Sequence, residues 1–415
     1  MTRSVLGLKL RHAVEPDIAR HMSRNEAACI PVGLLYSQSG FYGAVGREML
    51  NGALLGIRQI NDAAAGFRLE PLIVDPGGDP ARYYQFCETM LRQQVRHFIG
   101  CYTSAARRQI LPLIEGSDSL LWHAARYEGF ESSDNVIYVG AAPNQHVVPL
   151  ARHMMAHFSA EVYCVGSDYI WTWETNRVLR EIVSAAGGGL LAERLVPFGE
   201  TAMELIIADI LRLRPPVIFN TLVGESAYSF FRAYDQARRH TNLAPVLSCS
   251  LGEPELRLIG KPAAAGHITC SPYFATLDNP ANRAFVRIYK ATFGVDATPF
   301  ADAEASYVCA MLLGRAIRNA GTANASAVRK AVLADRFDAP QGPVRIDPAN
   351  NHCFVTPRLA RSTGDGSFDV FWQAPEPVQP DPFLVWLETE KALEPEGWLG
   401  PEIRRHAAPH LRVVK

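Results

Sequence analysis

Short apolar runs alternate with longer helical patterns along most of the chain. The first run covers residues 31–37 and precedes a helical pattern over about 43–61. The second run covers 69–75, and Asp79 followed by Pro80 is typical of a helix cap and a first helical residue. Alternation at this spacing predicts parallel strands joined by right-handed crossovers, which together form a doubly wound lobe.

The alternation continues through 97–116, where we expect Ser104 to cap the helix. A second series starts after the turn-rich stretch 140–145. Its predicted strands are 161–167, 190–196, 216–221, 245–249 and 267–272. Helical patterns separate these strands, so the same architecture is predicted to occur twice.

The last part of the globular region changes character. Helical patterns cover about 279–293, 303–319 and 326–334, and the segments 338–344 and 370–372 are predicted to form a strand pair. These elements are too few for a third domain. We therefore expect them to pack on the first two lobes, so that the chain crosses between lobes more than once.

Composition narrows the range of functions. The 415 residues carry 41 basic and 42 acidic side chains, a net charge of -1. This balance disfavours direct contact with nucleic acid or a membrane surface. The first residues show no apolar signal segment, and no apolar run approaches the roughly 20 residues of a membrane span, so we expect a cytoplasmic protein. The eight scattered cysteines are typical of reduced, buried thiols.

The sequence motifs typical of catalytic, cofactor and metal sites are incomplete or missing. Gly40, Gly43 and Gly46 have the spacing G-x-x-G-x-x-G instead of the dinucleotide pattern G-x-G-x-x-G. The sequence contains neither a phosphate-binding P-loop nor a G-x-S-x-G nucleophile elbow. His153 and His157 are one helical turn apart but have no third ligand nearby in sequence. We predict no cofactor, no metal and no enzymatic activity.

Polar and aromatic side chains recur where predicted strands end. Tyr102 and Ser104 follow one strand, His123 ends the next, and Tyr169 and Trp171 follow a strand of the second series. Ligands of open α/β sheets bind at this edge. A serine hydroxyl beside helix N–H groups suits a carbonyl or carboxylate oxygen. The sequence therefore predicts a binder of a small polar molecule.

Several longer strings resemble the amide-binding regulators of aliphatic amidase operons, which belong to the type I periplasmic-binding-protein superfamily. The resemblance runs from about Pro31 to Phe383. Its most specific strings are Asp75-Pro76-Gly77-Gly78-Asp79-Pro80, Tyr127-Glu128-Gly129-Phe130-Glu131, Ala142-Pro143-Asn144-Gln145 and Gly166-Ser167-Asp168-Tyr169-Ile170.

The resemblance implies an α/β fold of two doubly wound parallel-sheet lobes, joined by three hinge crossovers and closing on a ligand. The expected division is a flexible arm at 1–29, a first lobe of 30–143 plus 274–336, a second lobe of 144–273 plus 337–385, and a tail at 386–415.

The resemblance also implies a ligand site. Tyr102, Ser104 and Tyr169 match the amide-pocket pattern. Four positions depart from it. His123 stands where the regulators have a tyrosine, and Ala125 where they have a threonine. Arg126 replaces a proline, and Trp171 replaces a second tyrosine. Lost hydroxyl groups and added histidine and guanidinium groups change the hydrogen bonds that are available to a ligand.

The leading expectation is therefore a cytoplasmic, non-catalytic amide sensor that sequesters an RNA-binding antiterminator protein. If exposed helix faces pair, the protein also forms homo-oligomers. The alternative is the substrate-binding protein of an ABC importer for amides, urea or branched-chain amino acids, which would be periplasmic. A third class, a small-amide hydrolase, lacks a paired nucleophile and base. If the Arg126 guanidinium reaches the pocket, carboxylates should bind better than amides.

Overall fold

The computed structural model describes residues 27–63, 66–239, 241 and 243–385. The predicted tail at 386–415 lies outside the described residues, as does nearly all of the predicted arm at 1–29. The first strand begins at Ala28, two residues before the predicted start of the globular part.

Five parallel strands form the first sheet. They are β1 (Ala28–Leu35), β2 (Phe67–Val74), β3 (His97–Gly100), β4 (Leu120–His123) and β5 (Val136–Tyr138), in the order β2-β1-β3-β4-β5. The helices between them are α1 (Gly43–Asp62), α2 (Pro80–Arg92) and α3 (Ser104–Glu115). Asp79 caps α2 as predicted, because its carboxylate accepts a hydrogen bond from the Ala81 N–H at 2.9 Å.

A second sheet repeats this winding. Its parallel strands are β6 (Glu161–Ser167), β7 (Gly189–Val196), β8 (Ile218–Thr221), β9 (Val246–Ser248) and β10 (Ile268–Ser271). The helices are α4 (Pro143–His157), α5 (Ile170–Ala185), α6 (Glu204–Leu213), α7 (Glu225–Arg238) and α8 (Glu253–Ile259). Taken from its other edge, this sheet has the order β7-β6-β8-β9-β10, which corresponds strand by strand to β2-β1-β3-β4-β5 of the first sheet. The predicted α/β fold with parallel sheets is therefore confirmed.

After β10 the chain returns to the first lobe. The helices α9 (Pro280–Phe293), α10 (Ala301–Ala320) and α11 (Ala325–Leu333) contribute Phe285, Val308 and Val328 to the core around β1. A small sheet of β11 (Phe337–Ala339), β12 (Gly342–Ile346) and β13 (Cys353–Phe354) follows. Its residues Ala339, Val344 and Cys353 join the same first core. The chain thus packs 339–355 on the lobe opposite to the one expected for it.

The predicted pairing of 338–344 with 370–372 is wrong. The strands β11 and β12 pair with each other as an antiparallel hairpin. Residues 370–372 belong to β15 (Phe368–Gln373), which pairs with β14 (Arg358–Ser362), and β14 extends the second sheet beside β10. Each segment pairs with a strand that is nearer to it in sequence, and the alternation of strands and helices did not indicate this pairing.

The glycine-rich turn after β1 has a packing reason. A Cβ atom on Gly46 would lie 1.8 Å from the Ser37 carbonyl oxygen, so helix α1 can approach the end of β1 only because this residue has no side chain. The G-x-x-G-x-x-G spacing therefore reflects close packing of a helix against a strand end.

Candidate functional site

A cavity lies where the carboxyl ends of the two sheets face each other. Its lining comes from the loops or helix starts after five strands: β3, β4, β6, β8 and β9. The lining residues are Tyr102, Ser104, Arg126, Tyr169, Trp171, Val223 and Ser250. This edge of a doubly wound sheet is where the fold class holds ligands.

Five of the seven residues predicted from the sequence line this cavity. Two others do not. Ala125 packs in the core of the first lobe, and His123 is fully buried behind the cavity wall. Whether any of the seven contacts a ligand stays a prediction.

His123 is held as a neutral imidazole. Its Nδ1 lies 3.3 Å from the Gly100 carbonyl oxygen, which can only accept, and its Nε2 lies 3.4 Å from Nη1 of Arg107, which can only donate. Burial lowers the pKa of His123 well below its ordinary value, and the Arg107 charge lowers it further. His123 therefore contributes no positive charge to the site.

The start of helix α3 differs from the prediction in one detail. Thr103, one residue earlier than expected, is the cap, and its hydroxyl accepts a hydrogen bond from the Ala106 N–H at 3.3 Å. Ser104 is the first helical residue, and its hydroxyl donates to the Glu128 carboxylate. Ser104 is thus free of the capping role and lines the cavity.

A buried charge cluster, which we call the Arg107 cluster, lies behind Ser104. It comprises Arg107, Arg108, Glu128 and Glu131. Arg107 contacts Glu128 at 3.1 Å and Glu131 at 2.8 Å, and Arg108 contacts Glu128 at 3.1 Å. Burial lowers the pKa of Arg107, but the two carboxylates outweigh this and raise it. Burial raises the pKa of Glu131, yet its contacts with Arg107 bring it below its ordinary value.

A second charge group, the Arg126 group, comprises Arg126, Asp302 and Glu255. Nη2 of Arg126 donates to Asp302 at 2.8 Å. Burial raises the pKa of Asp302 despite this ion pair. Burial also raises the pKa of Glu255 to about 7, although the Arg126 charge opposes the shift. Both carboxylates are therefore held less favourably as anions than Glu131 of the Arg107 cluster.

Two further cavities adjoin the first. One, of about 220 Å³, shares Arg126 with it and reaches Ser271 and Phe300. The other, of about 230 Å³, shares Tyr102 and is lined by Glu255. The Arg126 group thus lies where the three cavities meet.

Aromatic rings connect the two lobes beside the cavity. Phe41, after β1, stacks on Phe198 of the second lobe with ring centroids 4.7 Å apart. Phe198 in turn packs on Tyr169 at 4.7 Å, and Tyr169 lies 6.1 Å from Trp171. Of these rings, Tyr169 and Trp171 line the cavity and give it flat, largely apolar surfaces.

The lobes also approach each other closely at Gly224. This residue precedes α7 and has φ +61°, and a Cβ atom there would lie 2.2 Å from the Phe41 carbonyl oxygen. Only glycine allows this approach, and the structure is therefore in a closed arrangement at this point.

The indole Nε1 of Trp171 is a buried donor on the cavity wall. Within the described ranges of the chain it has no hydrogen-bond partner. A buried donor without an acceptor costs about 1–3 kcal/mol, so a ligand acceptor at this place would relieve that cost.

Sequence reasoning missed Val223, Ser250, Asp302 and Glu255. Val223 and Ser250 follow β8 and β9, so the rule that identified Tyr102 would also have found them. Asp302 and Glu255 lie in the first turns of α10 and α8, where acidic residues are common and carry no specific signal.

Other sequence features stay outside this site. The rings of His153 and His157 lie 4.4 Å apart, and among the described residues no group of three or more histidine, cysteine or carboxylate side chains could hold a metal. In the same part of the chain, no helix has the length and apolar character needed to cross a bilayer.

Comparison with known proteins was informative over most of the chain. A family model described as "Periplasmic binding protein domain" matches residues 30–389. A curated relative, limonene hydroxylase of Geobacillus stearothermophilus, is 28% identical over 140 residues, which are 34% of this chain and 26% of that protein. The chain thus spans about a quarter of that relative's length.

Solved structures share the fold. A solute-binding protein of an ABC transporter from R. palustris, in complex with benzoate, has a TM-score of 0.77 at 20% identity and covers 85% of this chain and 98% of its own. A second R. palustris protein, in complex with 4-hydroxybenzoate, has a TM-score of 0.77 at 21% identity, covering 86% and 100%. A leucine-binding protein from Thermotoga maritima has a TM-score of 0.72 at 17% identity, covering 83% and 98%.

These comparisons correct the leading functional expectation. The prediction of an amide sensor that acts through an antiterminator is wrong, because the similar structures are solute-binding proteins of ABC transporters. The alternative, a substrate-binding protein, is the interpretation that they favour. The matched family is one of binding proteins.

Proposed function

Because the chain belongs to the periplasmic binding protein domain family, we propose that it is the solute-binding component of an ABC importer and takes a small carboxylate between its lobes. The observation that carries this proposal is the Trp171 indole N–H, a buried donor on the wall of a cavity formed by both lobes. A donor in this position is suited to a carboxylate oxygen.

The charge of the site favours a carboxylate over an amide. Arg126 lines the same cavity as Trp171, and a guanidinium binds carboxylates through strong, charge-assisted hydrogen bonds. The relatives in complex with benzoate and 4-hydroxybenzoate carry ligands with this group.

The walls of the cavity favour a particular kind of ligand body. Tyr102, Tyr169 and Trp171 offer flat surfaces to such a body. The proposed ligand class is therefore a small carboxylate with an aromatic or branched aliphatic body.

The proposed location is the periplasm, where a binding protein would deliver its ligand to a membrane permease. Cell fractionation with an antibody against the natural protein tests this. Recovery in the periplasmic extract is expected, and recovery in the cytosolic fraction alone would contradict export.

A thermal-shift screen tests the ligand class. Benzoate, leucine, acetamide and urea are the probes, since a ligand that binds only the folded state raises Tm. We expect benzoate or leucine to raise Tm and acetamide and urea to have no effect. Stabilisation by the amides alone would reject the carboxylate class.

Trp171→Phe then localises the binding. Loss of one hydrogen bond to the charged carboxylate should weaken its binding about 10- to 100-fold by calorimetry. Trp122→Phe is the matched control, because Trp122 Nε1 is also buried without a partner in the described part of the chain but lies in the first core. Equal effects of the two substitutions on affinity would remove Trp171 from the site.

A further inference from the structure

We infer that Glu128 acts as a positioning residue that fixes the Ser104 hydroxyl as a hydrogen-bond acceptor, so that the ligand must present a donor group to Ser104. This inference rests on the proposed function and narrows its ligand class. It reverses the expectation that Ser104 donates to a carbonyl or carboxylate oxygen.

Glu128 accepts from two guanidinium groups. Its side chain is fully buried, and Oε1 lies 3.1 Å from Nη2 of Arg107 and 3.1 Å from Nη2 of Arg108. A guanidinium can only donate, so Glu128 is the acceptor in both of these charge-assisted contacts.

The direction of the Ser104 hydrogen bond is then determined. In the contact between Ser104 Oγ and Glu128 Oε2, the serine hydroxyl is the donor and the carboxylate oxygen is the acceptor. A hydroxyl has a single donor hydrogen and two lone pairs. With its proton committed to Glu128, Ser104 has only lone pairs left for a partner in the cavity that it lines.

The opposite polarity is found elsewhere on the same wall. Trp171 Nε1 and the Arg126 guanidinium can only donate, so they suit an acceptor such as a carboxylate. A ligand that satisfies both requirements carries a carboxylate and, separately, a hydrogen-bond donor such as an amino or hydroxyl group. The substrate class becomes a small carboxylate with a second, donating substituent.

Glu128→Gln should reverse the polarity of Ser104. The two guanidinium groups require an acceptor at the Oε1 position, so the amide oxygen of the glutamine should occupy it. The amide NH₂ then takes the place of Oε2 and donates to Ser104 Oγ, which releases the serine proton toward the cavity. The side chain keeps its shape and loses only its charge and one acceptor.

The experiment compares two probes that share a benzoate skeleton. 4-Aminobenzoate carries a donor substituent, and 4-cyanobenzoate carries an acceptor substituent. For the unmodified protein we expect calorimetry to give an affinity for the amino compound about tenfold above that for the cyano compound.

Ser104→Ala should reduce this ratio to near one, and Glu128→Gln should bring it below one. If Glu128→Gln does not fold, Ser104→Ala decides the question. Ser119→Ala is the control for removal of a buried serine hydroxyl, because Ser119 Oγ donates to the Ser117 carbonyl oxygen away from the cavity and should leave the ratio unchanged.

The outcomes separate this inference from the proposed function. If both probes bind and the cyano compound binds equally well or better, the inference is overturned while the proposed carboxylate binder stands. The same holds if Ser104→Ala leaves a tenfold ratio. If neither probe, benzoate nor leucine binds, the proposed function fails and the inference fails with it.

Discussion

Two buried arginines, each near the ligand cavity, both lower the pKa of the carboxylates around them, but the net pKa shift of those carboxylates differs between the two places. In the Arg107 cluster, contacts to Glu128 and Glu131 from two guanidinium groups bring the pKa of Glu131 below its ordinary value. In the Arg126 group, the pKa of Asp302 is raised by burial in spite of a 2.8 Å ion pair, and that of Glu255 is raised to about 7.

The difference lies in how completely each charge is compensated. Burial of ions is stabilising only where hydrogen bonds satisfy most of their donors and acceptors. The Arg107 cluster meets this condition through several charge-assisted contacts and has a structural role. The Arg126 group meets it poorly and faces three cavities, so it can take up a charged ligand group.

The largest expected effect comes from breaking the compensated cluster. Arg107→Met leaves Glu128 and Glu131 buried without their main partner and should lower the free energy of unfolding by about 3–5 kcal/mol. Denaturant titration measures it. Arg108→Met is the control, because Arg108 is 41% exposed and its loss should cost less than about 1 kcal/mol. Equal losses would contradict the structural role of Arg107.

A smaller effect is expected from the Arg126 group, and it concerns binding. Arg126→Met combined with Asp302→Asn removes the two charges of this ion pair together, so that neither is left buried without its partner. Benzoate affinity should fall about 10- to 100-fold, since a charge-assisted contact is lost. The stability of the ligand-free protein should change less than in Arg107→Met. Unchanged benzoate affinity in calorimetry would place the carboxylate elsewhere in the site.

The smallest effect is a pH dependence. The folded-state pKa of Glu255 is about 7 against an ordinary value of 4.5, so the folded protein binds more protons than the unfolded chain between these values. Stability is therefore greatest below pH 4.5 for this group and is lost as the pH rises to about 7. Burial also raises the pKa of Glu253 to about 7 and that of Glu304 to about 8, so all three act in the same direction.

Glu255→Gln should therefore remove part of the fall in Tm between pH 5 and pH 8, on the order of 2 °C. The groups that act on Glu255 are Arg126, Asp302 and its own helix start, so the variant is best measured without ligand. Glu225→Gln serves as the control, because Glu225 is exposed at the start of a neighbouring helix. A pH slope equal to that of the unmodified protein would show that Glu255 is ionised in the fold.

The features that could be predicted from the sequence are those that depend on residues close together along the chain. Alternating strands and helices predicted both sheets, and the rule that ligands lie at strand ends identified Tyr102, Ser104, Tyr169 and Trp171, which the fold places around one cavity. Their contact with a ligand is still a prediction. His123 ends β4 as expected, but its ring lies among the Arg107 cluster, and no periodicity indicates which buried neighbours a strand-end ring will meet.

Features that depend on distant partners could not be predicted. Asp302 lies 176 positions from Arg126 and comes beside it only because α10 returns to the first lobe. The pairing of 338–344 was wrong for a related reason, since the choice among several possible β partners depends on packing of the complete lobes.

The closed arrangement at Gly224 bears on two contributions to ligand affinity, the contacts of the ligand with the protein and the closure of the two lobes. A single methyl group there would collide with the Phe41 carbonyl oxygen, so Gly224→Ala should keep the lobes apart while leaving the cavity side chains of each lobe unchanged in sequence. The binding free energy of this variant would report the contacts of the ligand with one lobe, and the difference from the unmodified protein would report the free energy of lobe closure. In this fold, closure around a ligand depends on a position that has no side chain.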